Sequence, residues 1–196
     1  MEFIKKTFGK IQYNAPVILS FTLISFFVHI LNNVTGWTNL YLFSVYRSPL
    51  TDPLFYIRLF GHVLGHINWE HFFNNFIMIL LAGPILEEKY GSKNMLIMIL
   101  FTALVTGILN MLFFPTTMLL GASGVVFMLI LLSSFVNLKK GRIPLTLILC
   151  IFVFIGREVS AGIFSKDSIS QITHIFGGIC GAFFGFALNR NKLKDY

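Results

Sequence analysis

ISQITHIFGGICGAFFGFAL, residues 169–188, runs for twenty residues without an Asp, Glu, Lys or Arg. A helix that crosses a bilayer needs about 20 predominantly apolar residues, so this stretch is long enough to span. Five other stretches read the same way, at about 15–31, 71–86, 94–113, 122–137 and 143–157. The whole chain agrees with them. Its 196 residues are 56% hydrophobic and only 12% charged, with a mean hydropathy of +0.79. A soluble domain carries roughly a quarter charged residues, and 23 Phe cannot all be hidden in so small a water-soluble core. A soluble enzyme, a disordered chain and a fibrous chain are excluded. The expectation is an all-α polytopic membrane protein, a bundle of six transmembrane helices forming one domain over residues 1–196. Pro16, Pro84, Pro115 and Pro144 fall near the ends of these stretches, where helices accept proline.

The formal net charge is +7. The basic residues sit in short runs between apolar stretches, which suits topology signals beside anionic lipid and not nucleic-acid binding. With the N-terminus inside, Lys5, Lys6, Lys10, Lys89, Lys93, Lys139, Lys140, Arg142, Arg190, Lys192 and Lys194 are cytoplasmic. Only Arg47, Arg58, Arg157 and Lys166 are then outside. The excess of inner charge puts both termini in the cytoplasm. The apolar run after Lys10 lacks a small-x-small cleavage site and reads as a retained first span. Cys150 and Cys180 lie within apolar stretches and suggest neither a disulfide framework nor a thiolate metal site. Between about 32 and 70 runs a long outer connection holding Trp37, Tyr41, Phe43, Tyr46, Phe55, Tyr56, Phe60 and Trp69. Such an aromatic, amphipathic loop is expected to lie in the membrane interface.

Polar groups within spans are costly, so each is a functional candidate by default. His71, Asn75, Ser123 and His174 stand out. Taken singly, each has a plain structural reading: a serine bonding back to its own helix, or a histidine or asparagine joining two helices. Their depths argue for more. Spans two, four and six all run inward from the outer side, and the four residues fall in the first turns of those spans. His174 lies about five residues into its helix, roughly 8 Å down. From Ser123 to Asn137 is about 14 residues, roughly 21 Å of helix. In a core about 30 Å thick, that leaves Ser123 roughly 9 Å below the outer surface. Two independent estimates thus give one depth for a hydroxyl and an imidazole. Gly121-Ala122-Ser123-Gly124 supplies small neighbours and a helix start, whose N–H groups suit a developing oxyanion. Gly177, Gly181 and Gly185 line one face of the sixth span and would let it pack closely on the fourth.

His71-xxx-Asn75, Gly121-x-Ser123-Gly124 and His174-xx-Gly177, in this order, resemble the rhomboid intramembrane serine proteases. The resemblance covers nearly the whole chain and is similar to the minimal six-span bacterial type. His66, Glu87 and Gly91 also match that family. It implies Ser123 as nucleophile, His174 as general base, and an oxyanion hole made of the Ser123 N–H with the His71 and Asn75 side chains. It implies transmembrane proteins as substrates, no cofactor, and a bacterial inner membrane as the location. Two positions depart from the pattern: Phe127 stands where relatives often stack a Tyr on the histidine, and Ile57-Arg58 stands where a Trp-Arg pair is common. Among the acids, Glu2, Asp52, Glu70, Glu87, Glu88, Glu158, Asp167 and Asp195, none falls mid-span near His174, so a dyad oriented by packing is expected instead of a triad. A metal site at His62, His66 and His71 is the rival chemistry, but no HExxH motif and no nearby thiolate supports it. A transporter would need paired broken helices and intramembrane charges. A catalytically inactive rhomboid-like protein that binds membrane clients is the rival within the family. The sequence sets neither the natural substrate nor the oligomeric state.

Overall fold

A computed structural model describes residues 12–136, 138–139, 142–164 and 168–190, with only the backbone of residues 154–155, 157–164 and 168–170. The described residues form helices α1 (Pro16–Thr35), α2 (Thr38–Leu42), α3 (Pro53–Gly61), α4 (Trp69–Tyr90), α5 (Ser92–Phe113), α6 (Ser123–Ser133), α7 (Leu145–Phe164) and α8 (Ser168–Leu188). Among them no β-strand occurs. An isolated bridge joins Val45 to Leu119, each N–H donating to the other's carbonyl at 2.9 and 3.0 Å.

Each of the six apolar stretches contains a helix, yet among the described residues length and hydropathy qualify three helices as able to cross a membrane: Pro16–Thr35, Ser92–Phe113 and Gln171–Leu188. Helix α6 is apolar but has only 11 residues. It is shorter than the expected 122–137, because the chain leaves the helix at Ser134 for a turn. Helix α4 is long enough at 22 residues, but Glu70, His71, Asn74, Asn75 and Glu87 dilute its apolar character. It also runs on to Tyr90, past the expected end at 86, so Pro84 lies inside the helix and not near its end. Lys5, Lys6, Lys10, Lys140, Lys166, Lys192 and Lys194, which entered the orientation argument, lie outside the described residues.

The helix at the centre is the short apolar α6. Gly124, Val125, Val126, Phe127, Met128, Leu129, Leu131 and Leu132 of α6 are all buried. The surrounding helices turn apolar side chains outward, including Phe27 and Val34 of α1, Leu81 and Ile85 of α4, and Phe152 and Val153 of α7. Broad outward-facing aliphatic surface on long helices is the arrangement a hydrocarbon solvent demands. The protein is therefore membrane-embedded.

Close helix contact is made through glycine. A Cβ on Gly177 would collide with the Gly124 carbonyl, one on Gly181 with the Met128 carbonyl, and one on Gly185 with the Phe135 ring. Helix α8 thus lies directly on the backbone of α6. At the opposite flank, Gly83 of α4 lets Ile18 of α1 approach, and a Cβ there would stand 2.6 Å from Ile18 Cδ1.

Glu87 closes that flank. Its carboxylate is buried and accepts from the N–H of Val17 at 3.0 Å and of Ile18 at 2.9 Å. These are orphan donors of the first turn of α1, where no intrahelical acceptor exists and negative charge is favoured. Replacing Glu87 with Ala should lower stability by about 3 kcal/mol, since one buried and one half-buried donor lose a charged partner. Glu87→Gln keeps one acceptor oxygen and should cost roughly half as much. Unfolding midpoints in detergent measure both, and an alanine variant as stable as the parent would refute the capping role.

Candidate active site

Ser123 is the first residue of α6, and the turn before it is held from several sides. Gly121 has φ +129°, a conformation L side chains rarely adopt, and its α-carbon faces the His71 ring. A Cβ there would stand 2.6 Å from His71 Cε1 and 2.8 Å from Nε2. The Gly121 N–H donates to the His62 carbonyl at 2.9 Å. The Ala122 N–H donates to His66 Nε2 at 3.4 Å.

Those bonds fix the chemistry of the loop histidines. His66 Nδ1 lies 3.2 Å from the Leu64 carbonyl and must carry the proton to donate there, which leaves Nε2 as an acceptor for Ala122. Burial, with the neighbouring His71 adding to it, pushes the His66 imidazole down to about 3, and burial pushes His62 to about 4. Both are neutral at physiological pH. The His66 carbonyl is held in turn by the Asn39 amide at 2.9 Å and by His29 Nδ1 at 3.2 Å. The His62 ring nitrogens stand 3.1 Å from the Leu59 carbonyl and 3.3 Å from the Thr106 hydroxyl. Of the three histidines considered as metal ligands, His66 holds the Ala122 N–H through its ring, His62 holds the Gly121 N–H through its backbone carbonyl, and His71 turns its ring to the Gly121 α-carbon. Among the described residues, no three His, Cys, Asp or Glu side chains form a metal-holding group.

A cavity of about 610 Å³ opens beside this turn. His71 and Asn75 reach it from α4, Ser123 and Phe127 from α6, and His174 from α8. Ile67, Met78, Met118, Val126 and Ile130 give it apolar walls. Asn75 is 6% exposed, and its amide nitrogen has no protein hydrogen-bond partner. A buried amide N–H without an acceptor is costly unless a bound group supplies one. The Phe127 ring lies against His174, with centroids 4.4 Å apart and planes inclined by 36°. The aromatic face is thus present without a hydroxyl.

Of the residues singled out in the sequence, His71, Asn75, Ser123, Phe127 and His174 meet in the cavity. His66 and Gly121 stand behind the Ser123 turn, and Gly124, Gly177 and Gly181 form the seam between α6 and α8. Missed was His62, whose backbone carbonyl anchors Gly121; the four-residue spacing to His66 was its one visible signal. Ser133 and Ser134 lie at the far end of α6, where the Ser133 hydroxyl donates to the Ile130 carbonyl at 2.6 Å.

The family model of the Rhomboid domain matches residues 54–191. The chain belongs to the rhomboid family. It is also similar to Rhomboid-related protein 1 of Caenorhabditis elegans, with 29% identity over 146 residues. That match takes in 70% of this chain but 41% of the relative, so the chain spans about two fifths of its length.

The rhomboid's first loop keeps its anchor despite Ile57. That residue is 49% exposed and points away from the loop core, whereas Arg58 is 2% exposed. The Arg58 guanidinium donates to the Tyr41 carbonyl at 3.3 Å and the Ser48 hydroxyl at 2.8 Å, pairs with Asp52, and lies 4.5 Å from the Tyr46 ring centre. The same pairing holds the Asp52 carboxyl below the usual carboxylate range. Arg58 is therefore a structural staple and not a solvent-exposed outer charge.

Proposed function

We propose that this rhomboid is an intramembrane serine endopeptidase that cleaves transmembrane segments of other membrane proteins. The observation that carries the reading is the convergence of Ser123, His174, His71 and Asn75 from three helices on one cavity. In this reading the six apolar helices span the bilayer with both termini cytoplasmic. The cavity then opens to the outer side and admits water.

His174 accepts the Ser123 hydroxyl proton as the oxygen attacks the scissile carbonyl carbon. The carbonyl π-pair moves onto oxygen. The Ser123 N–H at the start of α6, the His71 ring and the Asn75 amide donate to that oxyanion. Collapse breaks the C–N bond, and the His174 proton goes to the leaving amine. Water then attacks the acyl-serine ester with His174 again as base, releasing the acid and restoring the serine. Phe127, packed against the imidazole, orients it by contact. The substrate helix must unwind locally, because its carbonyls are otherwise occupied in its own hydrogen bonds.

A fluorophosphonate probe tests this on purified protein. Ser123 oxygen displaces fluoride at phosphorus while His174 takes the proton. Labelling should occur at Ser123, vanish in Ser123→Ala and fall severely in His174→Ala. Chelators should change neither labelling nor proteolysis. A client-binding relative without activity would neither label nor cleave, and labelling that persists in Ser123→Ala would remove Ser123 from the mechanism.

A further inference from the structure

A second pair of depressions lies at the end of α6 away from Ser123. One, of about 470 Å³, is lined by Ser133, Ser134, Pro144, Leu145, Thr146 and Cys150, in the angle between α6 and α7. Next to it, a smaller one of about 170 Å³ is lined by Lys139, Arg142, Ile143 and Pro144. Pro144 borders both, so a mainly apolar depression and a cationic one lie side by side. The two cations are not independently placed. The Arg142 N–H donates to the Lys139 carbonyl at 3.2 Å, which holds both residues at one mouth. Two further observations point to a ligand. Ser134 is 6% exposed, lines the larger depression, and its hydroxyl has no protein partner. Helix α7 also begins at Leu145, so the positive end of its dipole lies beside the same mouth.

We infer that this feature is a binding site for one anionic phospholipid, with its phosphate at Lys139 and Arg142 and an acyl chain between α6 and α7. The charge selects the ligand. Two cations and a helix start demand an anion, whereas Pro144, Leu145 and Cys150 demand a hydrocarbon tail on the same molecule. A phospholipid also carries ester carbonyls between head and tail, the acceptor type that Ser134 lacks. Free phosphate would satisfy the mouth alone, and a zwitterionic lipid would set its own ammonium against the cations.

Native mass spectrometry of the full chain released from detergent tests the site, with phosphatidylglycerol and phosphatidylcholine as probes. Phosphatidylglycerol should be retained as a single bound copy under activation that strips phosphatidylcholine. Lys139→Ala with Arg142→Ala should weaken retention about 25-fold, roughly fivefold for each cation near a lipid surface. Thr146 is an exposed lining residue, so Thr146→Trp should fold and fill the tail channel. It should abolish retention although both cations remain. Lys93→Ala with Arg190→Ala, basic positions elsewhere, should leave retention unchanged. Equal retention of the two lipids would overturn the inference. So would wild-type retention in the double cation variant or in Thr146→Trp, or an equal loss in the Lys93 and Arg190 control.

Discussion

Ser123→Ala and His174→Ala should each lower the turnover of a model transmembrane substrate by about 10⁴-fold or more, and the double variant should lose no more than either single one. Nucleophile and base act as a unit: a serine without its base is a poor nucleophile, and a base without the serine has no proton to take. The oxyanion donors should behave differently. His71→Ala and Asn75→Ala each remove one of three donors, which typically costs 10²–10³-fold in turnover and leaves measurable cleavage. Asn75 carries the sharper expectation, because its buried amide has no protein acceptor and would gain one in the transition state. The measurement is single-turnover cleavage in detergent or liposomes with folding verified for each variant. Losses that multiply in the Ser123–His174 double variant would separate the two residues, and Asn75→Ala at the parental rate would reduce Asn75 to a packing residue.

Gly177→Val should abolish activity and destabilise the protein severely. The atom blocking a Cβ at 177 is the Gly124 carbonyl, part of the α6 backbone one residue after Ser123. A side chain there cannot rotate away; α8 must move off α6 and take His174 with it, three residues before the substitution. Overpacking of this kind commonly costs about 1–3 kcal/mol, occasionally more, and here it also widens the gap between nucleophile and base. Gly185→Ala is the control. Its obstacle is the Phe135 ring, a side chain just past the end of α6 and not the α6 backbone itself. Thermal midpoints and cleavage rates should therefore fall much further for position 177 than for 185. Equal tolerance at both positions would mean that the glycine seam does not set the distance between α6 and α8.

The family and the helical membrane architecture were legible from the chain because they rest on local properties. A run of twenty predominantly apolar residues has few options in hydrocarbon other than a helix that satisfies its own backbone. The constellation around Ser123 was legible for a related reason: polar groups are so costly in spans that the few present are conspicuous. Helix ends were less so. Pro84 read as a terminus, yet α4 continues through it, because packing against α1 and the Glu87 cap hold the final turn. Helix α6 stops at Ser133 although apolar residues continue, since hydropathy does not record where a chain turns.

The sequence by itself determined that this is a helical membrane protein of the rhomboid family, and it singled out the few polar side chains within its apolar stretches, since charge, apolar length and helical rise are properties of adjacent residues. Only the tertiary structure decided what holds them. Glu87 caps a helix start 69 residues before it, His66 grips the Ala122 N–H 56 residues after it, and the His62 carbonyl accepts from the Gly121 N–H. A hydrogen bond is directional and reaches only about 3 Å. Its partner therefore depends on where the folded chain brings two distant segments together, and no local pattern of residues encodes that meeting.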